Sequence, residues 1–164
     1  MRSLSIYLFI AALIVPSFAW ACSVHDKMQY RTVAEDFCDF LDGDHHPTTD
    51  LFTPSLLHTI EQAETLNTEW EIAHPGDKPP LGDGVPYQSF PDHAPFCRPG
   101  ENVHIDHQLY MEVDHIFPDT PNANWTDRLK LVKTPDGWKI DDVVYGTDYK
   151  TGLRRTLKTM FSED

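Results

Sequence analysis

Residues 125–144 read Trp-Thr-Asp-Arg-Leu-Lys-Leu-Val-Lys-Thr-Pro-Asp-Gly-Trp-Lys-Ile-Asp-Asp-Val-Val, and this stretch decides the fold. A strand is predicted from Trp125 to Lys133. Pro135-Asp136-Gly137 supplies a tight turn, glycine being able to take positive φ, and the chain returns as a strand from Trp138 to Val144. Upstream, Val103, Ile105, His107, Leu109, Met111, Val113, His115 and Phe117 alternate with His104, Asp106, Gln108, Tyr110, Glu112 and Asp114. Period two over that length predicts one strand with one buried face. Pro118 to Asn124 is turn chemistry leading into the next strand. Beyond the hairpin, Leu153, Leu157, Met160 and Phe161 fall at i, i+4, i+7 and i+8 and predict a short helix.

Ahead of the strands the period changes to that of helices. Val33, Phe37, Phe40 and Leu41 form an apolar stripe over about Asp26 to Leu41, which Gly43 ends. Thr53 reads as the N-cap of a second helix with Pro54 at its first position, followed by Leu57, Ile60, Ala63 and Glu64 and running to about Trp70. Residues 74–100 contain seven prolines and four glycines, which exclude regular structure for any length. A loop that long is either a lid or binding arm, or a wrap held down by Cys97. Two helices, a long loop, a curved antiparallel meander and a last helix make an α+β domain.

The N-terminus carries an address. Arg2 precedes an apolar run from Leu8 to Val15, and Ala19-Trp20-Ala21 is a small-x-small cleavage site, so residues 1–21 read as a secretory signal. The run is too short to span a bilayer, which takes about 20 apolar residues. Cys22 follows the cleavage site and is a candidate for lipidation, although lipoprotein signals normally carry Leu where Ala19 stands and a small residue where Trp20 stands. Cleavage leaves residues 22–164 as one domain, large enough to bury about two-thirds of its surface. The 164-residue chain has a net charge of −13, and the signal holds one base and no acid, so the mature charge is −14. A field of that sign repels nucleic-acid phosphates and anionic lipid and favours basic proteins, polyamines or divalent cations. Three cysteines in an exported chain suggest one disulfide and one leftover, and Cys38 with Cys97 is the preferred pair. The alternative, a catalytic thiol, lacks an activating partner in the sequence.

The run Leu-Val-Lys, the turn glycine, Trp138-Lys139-Ile140-Asp141-Asp142-Val143, Gly146 and the Leu153–Leu157 tail resemble the YbjP-like family of bacterial envelope proteins, a domain of unknown function related to nuclear-transport-factor-2-like cones. Val33-Ala34-Glu35-Asp36-Phe37, Leu51-Phe52-Thr53-Pro54-Ser55-Leu56 and Gly82-Asp83-Gly84-Val85-Pro86-Tyr87 are similar to that family's first two helices and the loop before its sheet. The resemblance implies helices packed across a strongly bent sheet, with a pocket at the open end. It carries over no catalytic residues, and members of the wider fold group include enzymes, ligand binders and scaffolds.

His107 and Asp142 are the candidates for chemistry. Strict alternation puts His107 in phase with Ile105 and Leu109, and Asp142 in phase with Trp138 and Ile140, so both would face an apolar interior where their pKa values shift and a proton could move. A bulge at Asp141-Asp142 would instead turn Asp142 outward and Val143 inward. His104, Asp106, His107 and His115 invite a metal reading, as do His45 and His46, but on a strand only His104 and Asp106 share a side, and two ligands make a weak site. No metal or cofactor is therefore expected. Trp138 reads as core. Tyr87 and Trp125 are candidate anchors of a protein interface, and Asp136, Asp141, Asp142 and Asp148 form an acidic cluster suited to a basic partner.

The functional expectation is a non-catalytic envelope protein that binds another protein or a small ligand in the periplasm, tethered to the membrane only if Cys22 is lipidated. Its partner would be an envelope complex that it serves as accessory subunit, or a basic protein that it neutralises as an immunity protein or inhibitor. The alternatives are an isomerase- or dehydratase-like enzyme using His107 and Asp142, and a small-molecule carrier with an apolar cavity of at least about 300 Å³.

Overall fold

A computed structural model describes residues 18–43, 48–82, 84–90, 92–146, 149 and 151–162. Helix α1 spans Phe18–Leu41, α2 is the single turn Thr48–Leu51, and α3 spans Pro54–Ala73. Strands β1 (Phe96–Ile105), β2 (Gln108–Ile116), β3 (Trp125–Thr134) and β4 (Gly137–Val144) follow, and α4 (Leu153–Met160) closes the order. The strands pair antiparallel as β1-β2-β3-β4, which establishes the α+β class. Residues 1–17, which carry most of the expected signal, and the His45-His46 pair lie outside the described residues, as do the side chains of 18–27, Cys22 included. No helix among the described residues is long and apolar enough to cross a membrane.

Alternation predicts one strand over 103–117, and the chain instead folds there into a hairpin. Asp106 (φ 49°) and His107 (φ 65°) both take the left-handed conformation of a two-residue turn, which Asp and His tolerate better than most side chains. The turn pairs His104 with Leu109 and Ile105 with Gln108. Even positions of β1 therefore share a face with odd positions of β2, and Val103 and Ile105 lie on the face opposite Leu109 and Met111. A bulge between Pro99 and Asn102 resets the phase, so Cys97 lies opposite His115 on the inner face, where it meets α1 through the Cys38–Cys97 disulfide. β1 thus occupies the end of the stretch expected to be loop. An edge strand accepts Pro99 because the missing N–H is lost only from an unpaired side or at a bulge.

A second bulge bends the sheet at its other edge. Leu131 faces Ile140 and Leu129 faces Val143, so one residue more is spent on β4 than on β3, and Asp142 comes opposite Lys130 on the outer face. The inner face packs Leu109, Met111, Val113, Leu129, Leu131, Ile140 and Val143 against Ala34 and Phe37 of α1, Leu56 and Ile60 of α3, and Leu153 and Leu157 of α4. Trp138 meets Tyr30 of α1 edge-on at 5.4 Å. Thr53 caps α3, its Oγ1 accepting from Leu56 N at 3.1 Å, with Pro54 beside it at the helix start.

The proline-rich segment, residues 74–95 between α3 and β1, is a strap. Leu81 N donates to Asn67 Oδ1 at 2.9 Å, Tyr145 Oη donates to Pro86 O, Ser89 N donates to Asp127 Oδ2 at 2.9 Å, and His93 Nε2 lies 3.3 Å from Asp42 Oδ1. Tyr87 stacks on Phe52 and meets Phe40 edge-on. Bonds to α3, to β3 and to the residues just after α1 and β4, with a disulfide just beyond its end, favour the wrap over the lid.

Candidate functional site: two carboxylate centres and the surface between them

His107 and Asp142 are not brought together. His107 sits in the β1–β2 turn, while Asp142 lies across from Lys130 and Tyr110, two strand spacings (about 10 Å) away and three residues along. The two-residue turn removes His107 from any strand face, and the bulge turns Asp142 to α4. There its Oδ1 accepts from Arg154 N at 3.0 Å, giving the helix start the side-chain acceptor that Gly152 lacks. Burial raises the Asp142 carboxyl above the ordinary value, against the opposing pull of Arg154.

Asp141, expected on an acidic rim, is the hub of an internal network. Its Oδ1 accepts from Arg154 Nη2 at 2.6 Å and Thr53 Oγ1 at 3.1 Å, and its Oδ2 accepts from Lys130 Nζ at 3.0 Å. Arg154 also reaches Ser55 O and Thr59 Oγ1. One guanidinium therefore ties α4 to the bulge and to the first turn of α3. Burial would raise the Asp141 carboxyl, but its hydrogen bonds and charges from Lys130 and Arg154 prevail and hold it below the usual carboxylate range. Asp136 stands apart in the exposed β3–β4 turn, so Asp136, Asp141 and Asp142 do not form one solvated face; Asp148 lies outside the described residues.

Gly152 makes this docking close enough to work. An added Cβ would stand 2.8 Å from Val143 O and 3.2 Å from Asp142 Oδ2. Gly152→Ala is expected to cost about 1–3 kcal/mol through overpacking against backbone. In urea melts the midpoint falls, and an unchanged midpoint would show that α4 docks without this approach.

The second centre escapes the sequence reading. His115 of β2 and Asp127 of β3 are diagonal neighbours in the ladder, His115 lying opposite Trp125 and Asp127 opposite Val113; they are 1% and 0% exposed, with His115 Nε2 3.5 Å from Asp127 Oδ2. Asp127 Oδ2 also accepts from Ser89 N at 2.9 Å and Trp125 Nε1 at 3.1 Å, and its Oδ1 accepts from Gly146 N at 3.1 Å. Burial would raise this carboxyl, but hydrogen bonds from His115, Ser89 and Gly146 prevail and lower it. The His115 ring stacks on Trp125 at 4.4 Å, and Phe90 and Phe117 flank the indole at 5.3 and 5.9 Å. The signal was available: His115 is in phase with Leu109, Met111 and Val113, and Asp127 with Leu129 and Leu131, so each is a polar residue at a core position of its strand.

These placements revise the expected anchors. Tyr87 packs inward on Phe52, and burial, then the Glu64 charge, pushes its phenol up to about 12. Trp125 is half-buried and spends its indole N–H on Asp127. No group of three or more His, Cys, Asp or Glu among the described residues is placed to hold a metal ion, and His104 and Asp106 are separated by the end of β1. Open surface remains at a concavity of about 560 Å³ between α3 and α4, lined by His58, Glu61, Ala63, Leu66, Leu157 and Lys158 among others. A second, of about 400 Å³, lies under the strap beside Leu41, Leu81 and Phe90. Both concavities are open to solvent. Searches of protein-family models, curated proteins and solved structures find no match to this chain.

Proposed function

We propose that this chain is an exported, non-catalytic binding protein of the bacterial envelope, of the YbjP-like type and the nuclear-transport-factor-2-like cone form, whose acidic surface holds a basic protein. The observation that carries the reading is how charge is allocated. Arg31, Arg98, Arg128 and Lys130 are paired to Glu35, Asp114, Glu112 and Asp141, Arg154 to Asp141 as well, and Lys139 to the carbonyls of Thr49 and Asp50. These six bases are engaged within the fold, while the chain carries twice as many acids as bases, 26 against 13. An excess of that size, exposed, steers cationic partners and repels nucleic acid. The cone reading draws support from a sheet bent by two bulges with α1 lying across it from β1 to β4. The non-catalytic reading draws support from the unformed His107–Asp142 pair and from an Asp127 closed on backbone amides. The signal at residues 1–21 and a lipid on Cys22 would place the protein in the periplasm, free or tethered, as accessory subunit or inhibitor.

The test is capture from an envelope extract on immobilised oxidised protein, washed at 50 and then 500 mM salt. A basic protein retained at the first and released at the second is expected. Recovery of nothing, or of proteins indifferent to salt, overturns the reading.

A further inference from the structure

The apolar stripe of α3 outruns the body that covers it. Leu56, Thr59, Ile60 and Ala63 are buried, but the same stripe continues to Leu66, 44% exposed, and to Trp70. At that point α3 and α4 bound the concavity of about 560 Å³, with Ala63, Leu66 and Leu157 as its apolar lining. Along its rim Glu61 and Thr65 are followed at the same four-residue spacing by Glu69. α3 as a whole carries Glu61, Glu64, Glu69 and Glu71 and no lysine or arginine, so nothing on the helix offsets them. Among the residues lining the concavity, Lys158 is the base.

Resting on the reading of a basic partner, we infer that the α3–α4 groove receives an amphipathic, lysine- or arginine-rich helix of that partner. A groove between two helices accepts a third by ridge-into-groove packing. From His58 to Leu66 the α3 wall of the groove is about 12 Å long at 1.5 Å per residue, and α3 continues beyond it to Ala73. The apolar face of the incoming helix would cover Leu66 over a floor of the buried Ala63 and Leu157, and its cations would line up with Glu61 and Glu69.

The probe is an 18-residue peptide of leucine and lysine in helical amphipathic order, with a scrambled peptide of the same composition as control, titrated into the oxidised full chain and followed by amide chemical shifts. The ordered peptide is expected to bind at least tenfold tighter than the scrambled one, with shifts confined to residues 58–73 and 153–160. Glu61→Lys with Glu69→Lys is expected to remove at least tenfold of that affinity and Leu66→Ser a comparable share, whereas Asp136→Lys, an equal change per site at the far hairpin, leaves it intact. Unchanged thermal melts confirm that these exposed substitutions leave the fold alone. Equal binding of both peptides, shifts spread over the sheet, or self-association through the groove overturns the assignment. If the charge reversals leave salt-sensitive capture of the envelope partner unchanged, the groove is wrong while the wider reading stands; if the wild type captures nothing basic, the wider reading fails.

Discussion

Asp127→Ala is expected to cost about 3–5 kcal/mol, because it leaves several buried donors with no acceptor. The carboxylate is fully buried and accepts from three donors, Ser89 N in the strap, Gly146 N after β4 and Trp125 Nε1 in β3, with the His115 ring 3.5 Å away. Alanine would leave them buried without an acceptor, and each orphaned donor carries a penalty of about 1–3 kcal/mol, partly relieved where water enters. The urea midpoint measures the total, and hydrogen exchange locates it: the Ser89 and Gly146 amides lose protection together, ahead of the core of β2 and β3. A loss under about 1 kcal/mol would mean that the strap is held by its other contacts. Acidity probes the same groups. The carboxyls of Asp127 and Asp141 are lowered in the folded protein, so the stability they contribute is complete above the unfolded value of about 3.9 and is lost as pH falls through their folded values. Asp142 is raised and works in the opposite sense, its burden easing as it takes a proton. The acid transition of wild type therefore begins below about pH 4, and in Asp127→Ala it is shallower.

Opening the Cys38–Cys97 disulfide is the second large effect. The two cysteines are 59 residues apart, and closing a loop of that length constrains the unfolded chain by about 4 kcal/mol on chain-entropy reasoning. Domains are stable by about 5–15 kcal/mol in all, so this one bond is a major share. The loop it closes contains α2, α3 and the strap, the parts with the least sheet to hold them. Cys38→Ser with Cys97→Ser is expected to lower the urea midpoint by that amount without altering the sheet, and the reduced wild type should match it. Equal midpoints for oxidised and reduced protein would show that the strap's hydrogen bonds alone suffice.

What could be read from the chain depended on whether the signal was local. The start of α3 was legible because Thr53-Pro54 is both cap and first turn, and the β3–β4 hairpin because Gly137 (φ 115°) marks it. The β1–β2 hairpin was hidden because Asp106-His107 is a turn without glycine, asparagine or proline, and polar–apolar alternation runs through it undisturbed. The cost of that miss was a phase error: Val103 and Ile105 were given the wrong face and His107 a pocket. The strap was invisible for a different reason, since its fastenings are backbone amides meeting side chains 14 and 38 residues away, Asn67 and Asp127. For the site, the bulge at Asp141-Asp142 was a stated alternative, but that both aspartates serve Arg154 could not be seen without knowing where α4 docks.

The two ends of the strand order have a consequence for how these molecules behave when crowded. β4 offers an edge interrupted twice, because Phe52 bridges to Ile140 and Gly152 to Val144. β1 offers one only in pieces: the bulge between Pro99 and Asn102 divides it into runs of four residues, and Pro99 has no N–H to lend. A stray strand from a neighbouring unfolded molecule thus finds no long flat ladder to extend. The same irregularities that turn Cys97 toward α1 and Asp142 toward α4 also deny cross-β growth a template.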